Sequence, residues 1–117
     1  MSRLRALIRS LRFAIAGVAY ALRSEKNLQI HAAASVAAVV LGVICGISRA
    51  EWCAVLMAVG LVWAAELLNT AVERLADAVT REPNEQIGHA KDAAAGAVLV
   101  AAIIAAVVGA VVFLPKL

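Results

Sequence analysis

The chain is 117 residues long, 64% hydrophobic and only 16% charged, with a mean hydropathy of +0.92 and a net charge of +3. Ordinary soluble domains are roughly half apolar, so this composition excludes that class, and the length suits one domain. A nucleic-acid partner is not called for: aromatic residues make up 4% of the chain, too few for a base-stacking platform, and a basic arm beside a membrane span is explained by anionic headgroups.

The first predicted element covers residues 1–25. Leu4, Ile8, Leu11, Ile15, Val18 and Leu22 recur at spacings of four and three, which puts them on one helical face. Arg5, Arg9 and Arg12 fall elsewhere on the wheel, as in a basic amphipathic helix lying in the interface plane. Arg9, Arg12, Arg23, Glu25 and Lys26 interrupt the apolar run that a cleavable signal would need, so none is expected.

A first span is predicted over 28–47. It needs Leu28, Gln29 and Ile30 to approach the ~20 residues that cross a bilayer core. Gly42 and Gly46 form a small-xxx-small pair, a pattern that permits close helix approach in lipid. Ser48, Arg49, Ala50 and Glu51 read as a tight turn. Trp52 then opens a second span as an interfacial anchor, and nothing through Val79 stops the helix. The expected element is one long helix, 52–79, that leaves the membrane and continues into the cytoplasm.

Thr80 to Gly88 holds Pro83, Asn84 and Gly88 and reads as a loop. The last helix is expected to start near His89, spanning 90–114, with Pro115 ending it. Positive residues cluster in the N-terminal arm and between Arg74 and Lys91, so the positive-inside rule places both in the cytoplasm and the C-terminus outside. The expected fold is therefore an all-α membrane protein with three transmembrane helices and an N-terminal amphipathic interfacial helix. Cys45 and Cys53 have no metal-ligand spacing and read as apolar packing residues.

The second span carries Glu66, Asn69, Thr70, Glu73 and Asp77. At 100° per residue these fall within about one third of the helix circumference, forming a polar stripe. With Trp52 at the outer interface, Glu66 lies about 21 Å further in and Glu73 about 10 Å beyond that. Glu66 should then sit within the inner leaflet and Glu73 at headgroup level. A charged residue at mid-helix costs roughly 2.5–3.5 kcal/mol to insert, so Glu66 marks a functional site unless it is a protonated interhelical link. Asp77 reads as a solvated charge.

Glu25 precedes the first span on the same side. Together with Glu73 it would suit Mg²⁺, which usually takes one or two carboxylates plus substrate phosphates. Lys91 and Asp92 are read as opening the last helix. A Lys against the positive end of the helix dipole invites an anion such as phosphate, and Asp92 suits that end. His31 and His89 show no partner spacing and read as interfacial polar residues. Residue chemistry by itself reaches an acidic pocket with a nearby cation at the inner leaflet.

Four segments carry a resemblance. Glu66-Leu67-Leu68-Asn69-Thr70-Ala71-Val72-Glu73 resembles the signature of the prokaryotic diacylglycerol kinase family, and Ala90-Lys91-Asp92-Ala93-Ala94-Ala95-Gly96-Ala97-Val98 resembles its second block. Arg23-Ser24-Glu25-Lys26-Asn27-Leu28-Gln29-Ile30-His31 and the closing Phe113-Leu114-Pro115-Lys116 are similar to its Gram-positive branch of undecaprenol kinases. The resemblance runs from Phe13 almost to the end.

It implies transfer of the γ-phosphate of ATP to a membrane lipid alcohol, with undecaprenol favoured and diacylglycerol the alternative. It also implies a homotrimer with shared active sites in a bacterial cytoplasmic membrane. Carried onto these residues, Glu66 would be the general base. Glu25 and Glu73 would hold the metal on the nucleotide. Asn69 would help position nucleotide, metal and substrate, Lys91 would contact the phosphates, and Asp92 would support that site. Asn84 and Phe13 depart from relatives that carry His and Tyr near the nucleotide. A different class of function, a small proton-coupled transporter built around Glu66, is the competing reading. Against it, Glu73, Lys91 and Asp92 gather at one interface.

Overall fold

The computed structural model describes residues 2–117, and four long helices make up almost all of them, with no strand among the described residues. They are α1 (Ser2–Ser24), α2 (Lys26–Cys45), α3 (Arg49–Val79) and α4 (Glu85–Phe113), followed by a short 3₁₀ turn at Leu114–Lys116. Three of them, α2, α3 and α4 with its 3₁₀ extension, are long and apolar enough to cross a membrane. The fold is the all-α membrane architecture expected from the pattern.

Each junction is built by a local device. Between α1 and α2 only Glu25 leaves helical geometry, at φ −112° and ψ 113°. Its side chain makes no cap bond. Instead the Gln29 amide donates to the Leu22 carbonyl at 2.9 Å, closing the end of α1 and leaving the Glu25 carboxylate free to face α3. α2 thus begins two residues before the expected boundary at 28.

At the other end of α2, Gly46 takes a left-handed conformation with φ 61°. Its N–H donates to Val43 and that of Ile47 to Gly42, both at 3.2 Å, which is the Schellman arrangement. Gly46 is therefore a helix stop, and the glycine pair is not one continuous contact face. Gly42 does serve a close approach: a Cβ there would lie 2.8 Å from Trp52 Cη2 and 3.1 Å from Ile47 Cδ1.

Ser48 to Glu51 is not a free turn but the start of α3. Ser48 Oγ accepts from the Glu51 N–H at 3.2 Å, and Glu51 Oε1 accepts from the Ser48 N–H at 2.9 Å. This reciprocal capping box satisfies two helix-end donors and moves the start from Trp52 to Arg49. Likewise α4 begins at Glu85, because Asn84 Oδ1 accepts from the Ile87 N–H at 3.1 Å. The expected start near His89 is corrected by about a turn, and Gly88 lies inside the helix.

α3 is the central helix, packing most extensively on α4 and also on α2. At its N-terminal end Ile47, Val55, Val112 and Phe113 form a buried cluster flanked by Leu41, Trp52 and Val108. Elsewhere the buried residues include Ala58, Ala76 and Ala101. Small side chains let backbones approach where lipid removes most of the hydrophobic drive for helix association. Much of the remaining apolar surface is open, including Val43, Ile44, Met57, Leu68 and Val111. On α1 only Ala21 is buried, and its apolar face, with Leu4, Ile8, Leu11 and Ile15, is exposed. That is the disposition of an amphipathic interfacial helix.

Candidate active site

The polar stripe of α3 turns toward the protein. Glu66 is 2% exposed and Thr70 is 5% exposed, while Asn69, Glu73 and Asp77 are half-buried. Thr70 Oγ1 donates to the Glu66 carbonyl at 3.0 Å and so spends its hydroxyl within the helix. Glu66 Oε1 and Asn69 Oδ1 are buried with no hydrogen-bond partner among the described residues. Two orphaned acceptors a turn apart in an apolar setting are costly unless something binds there.

α2 and α3 run antiparallel, and a ladder of polar pairs joins them. Nearest the α1–α2 joint, Arg74 donates to Glu25, and its guanidinium lies 5.6 Å from the centre of the Tyr20 ring. Deeper, His31 Nε2 lies 3.2 Å from Glu66 Oε1. The two atoms are in contact, but Oε1 accepts no hydrogen bond. One turn further, the Trp63 indole donates to Ser35 Oγ at 2.9 Å, and Ser35 donates to the His31 carbonyl at 2.7 Å. In lipid such links hold helices together by default of water as a competitor.

On the α4 side, Lys91 Nζ donates to Asp77 Oδ1 at 2.7 Å. Asp77 lies about 37 Å along α3 from Trp52, past the ~30 Å hydrocarbon core. Its hydrogen bond from Lys91 holds the Asp77 carboxyl below its ordinary value, against a smaller opposing effect of desolvation. Asp77 is thus not the simple solvated charge expected from sequence. Lys91 also lies almost two turns inside α4, so the helix dipole does not set its charge environment; Asp77 does. Glu73 and Asp92 make no ion pair among the described residues.

The structure therefore brings Glu25 to the residue after Glu73, and Lys91 to one turn beyond it. Glu66 and Asn69 stay deeper on the same face. Sequence reading missed three participants. His31 was left without a partner, and Arg74 and the Ser35–Trp63 link were not singled out. His89 pairs only with Glu85, 3.6 Å away on the exposed surface of α4.

No group of three or more His, Cys, Asp or Glu side chains gathers as a metal cluster among the described residues. Magnesium does not require one, since phosphate oxygens and water complete its shell. Glu25 is held at Arg74, the residue after Glu73, and one turn before Glu73 the Asn69 Oδ1 acceptor is unsatisfied; carboxylate and amide oxygens are the donor types that suit that ion.

Residues 12–113 match the family model for prokaryotic diacylglycerol kinase. The chain belongs to that family. An undecaprenol kinase of Bacillus subtilis (strain 168) is 40% identical over 101 residues, covering 86% of this chain and 82% of that protein. A diacylglycerol kinase of Synechocystis is 38% identical over 112 residues, covering 95% of this chain and 64% of that protein. One from Haemophilus influenzae is 31% identical over 95 residues, with 81% and 80% covered. As a member of the prokaryotic diacylglycerol kinase family the protein is a membrane lipid kinase, and the transporter reading is set aside.

Proposed function

We propose that this kinase phosphorylates undecaprenol at the inner leaflet, giving undecaprenyl phosphate and ADP. The observation that carries the reading is Glu66, a 2% exposed carboxylate in the C-terminal half of a membrane helix, within a family of lipid kinases. The 40% identity to an undecaprenol kinase over most of both chains supports the substrate. Diacylglycerol is the second reading, supported by the two diacylglycerol kinases among the relatives.

Glu66 accepts the proton of the lipid hydroxyl, and Asn69 orients the groups that meet there. Glu25 and Glu73 would hold magnesium, which neutralises phosphate charge when bound with ATP. Lys91 exchanges Asp77 for phosphate oxygens, and Asp92 supports that site. Phosphoryl transfer asks mainly for positioning and charge neutralisation, which these groups supply. The N-terminus and the site face the cytoplasm, where the basic residues concentrate and ATP is found. The open apolar faces of α2 and α4 support assembly into a homotrimer that shares active sites.

Purified protein given Mg-ATP and equal amounts of undecaprenol and diacylglycerol tests the reading. Faster phosphorylation of undecaprenol is expected. Equal turnover would overturn the preference, and no turnover of either lipid would overturn the function.

A further inference from the structure

We propose that His31 is the positioning residue for Glu66, holding one carboxylate oxygen so that the other meets the lipid hydroxyl. The proposal rests on Glu66 being the base. Three observations carry it. His31 Nε2 is 3.2 Å from Glu66 Oε1. That oxygen is buried and accepts no hydrogen bond. The cations on this face, Arg74 and Lys91, are committed to Glu25 and Asp77.

A small turn of the imidazole completes the bond. Such catalytic contacts are often poorly aligned before substrate arrives. The ring can donate from Nε2 as one neutral tautomer or when protonated, so the role does not depend on a change of charge. The backbone beneath it is pinned: Ser35 donates to the His31 carbonyl, and Trp63, three residues before Glu66, donates to Ser35. The α2 turn carrying His31 and the α3 turn carrying Glu66 are thereby held in one register. A cavity of about 250 Å³ opens beside His31 and Ser35, between α2, α3 and α4. It gives the ring room to move.

In the reaction the hydroxyl O–H bond breaks and its proton passes to the free Glu66 oxygen. The hydroxyl oxygen bonds to the γ-phosphorus as the bond from phosphorus to the bridging oxygen breaks. ADP leaves with that electron pair. His31 touches none of the reacting atoms. It restricts which way the carboxylate faces.

The test is steady-state kinetics on full-length His31→Ala, His31→Gln, His31→Met and Ser35→Ala proteins, with Mg-ATP and undecaprenol. Ser35→Ala disturbs the same helix contact without touching Glu66. For His31→Ala the expected result is a kcat about tenfold or more below wild type with KM for Mg-ATP unchanged. Added imidazole, which fits the adjoining cavity, should restore part of it, as should Gln, which keeps an N–H donor. A kcat within about twofold of wild type, or a loss equal to that of Ser35→Ala with no recovery by imidazole or Gln, overturns the proposal. If His31→Ala does not fold, Gln and Met, similar in size, decide: equal kcat values overturn it. An inactive wild-type protein would instead overturn the functional reading.

Discussion

Lys91 Nζ sits 2.7 Å from Asp77 Oδ1, tying the second turn of α4 to the C-terminal end of α3. The one cation of the second family block is thus paired with a carboxylate. Asp77 holds the amine at the end of the acidic stripe, one turn from Glu73, and in the proposed role of Lys91 phosphate would displace that single hydrogen bond.

Replacing Lys91 by Ala should raise KM for Mg-ATP severalfold and leave KM for the lipid unchanged. Asp77→Asn should give a smaller rise, because the amine survives but loses its anchor. Initial rates measured against each substrate in turn distinguish the two.

The same pair predicts an acid response. Because the Asp77 carboxyl is held below its ordinary value of 3.8, the contact is fully present above that pH and is lost only as pH falls through the lowered value. At pH 5 and above, thermal stability should therefore show no step assignable to Asp77. Comparison of wild type with Asp77→Asn across pH 3–7 checks this, and the gap between them should close only at the acid end.

Glu66→Gln should bind Mg-ATP as wild type does but turn over about 10²–10⁴-fold more slowly, the range of a lost general base. Binding by nucleotide titration and turnover by lipid phosphorylation must be read on the same preparation. By contrast, Glu25→Gln and Glu73→Gln should raise the magnesium concentration needed for half-maximal rate. A magnesium titration at saturating ATP reads this directly.

Gly42→Ala should destabilise the fold by about 1–3 kcal/mol, as overpacking does, because the new methyl lies 2.8 Å from Trp52 Cη2. Trp52→Phe, which removes that atom, should recover part of the loss in the double variant. Gly46→Ala should cost about 1–2 kcal/mol for a different reason, the left-handed backbone, and Trp52→Phe should not help it. Thermal unfolding in detergent compares wild type, the three single variants and the two double variants.

The spans and the inward stripe were legible because hydropathy and a 100° period are properties of the sequence itself. Helix starts were less so. Ser48-x-x-Glu51 is a capping-box signature, and Asn84 followed by Glu85 is a cap with an acidic first turn. Both were outweighed by the polar character that also marks turns. The partner of His31 was within reach of simple arithmetic. Once Glu25 is level with Glu73 on antiparallel helices, six residues inward on α2 meets about seven inward on α3. What no spacing gives is side-chain direction. That Arg74 would take Glu25, and Lys91 would take Asp77, depends on rotation of each helix about its axis, which tertiary packing sets.

One non-helical residue, Glu25, separates the surface helix from the first span. Its N–H donates to Ala21 of α1 and its carbonyl accepts from the Gln29 N–H of α2, so one residue belongs to the hydrogen-bond ladders of both helices. The angle between the two helices and the aim of the Glu25 carboxylate at Arg74 are therefore set together.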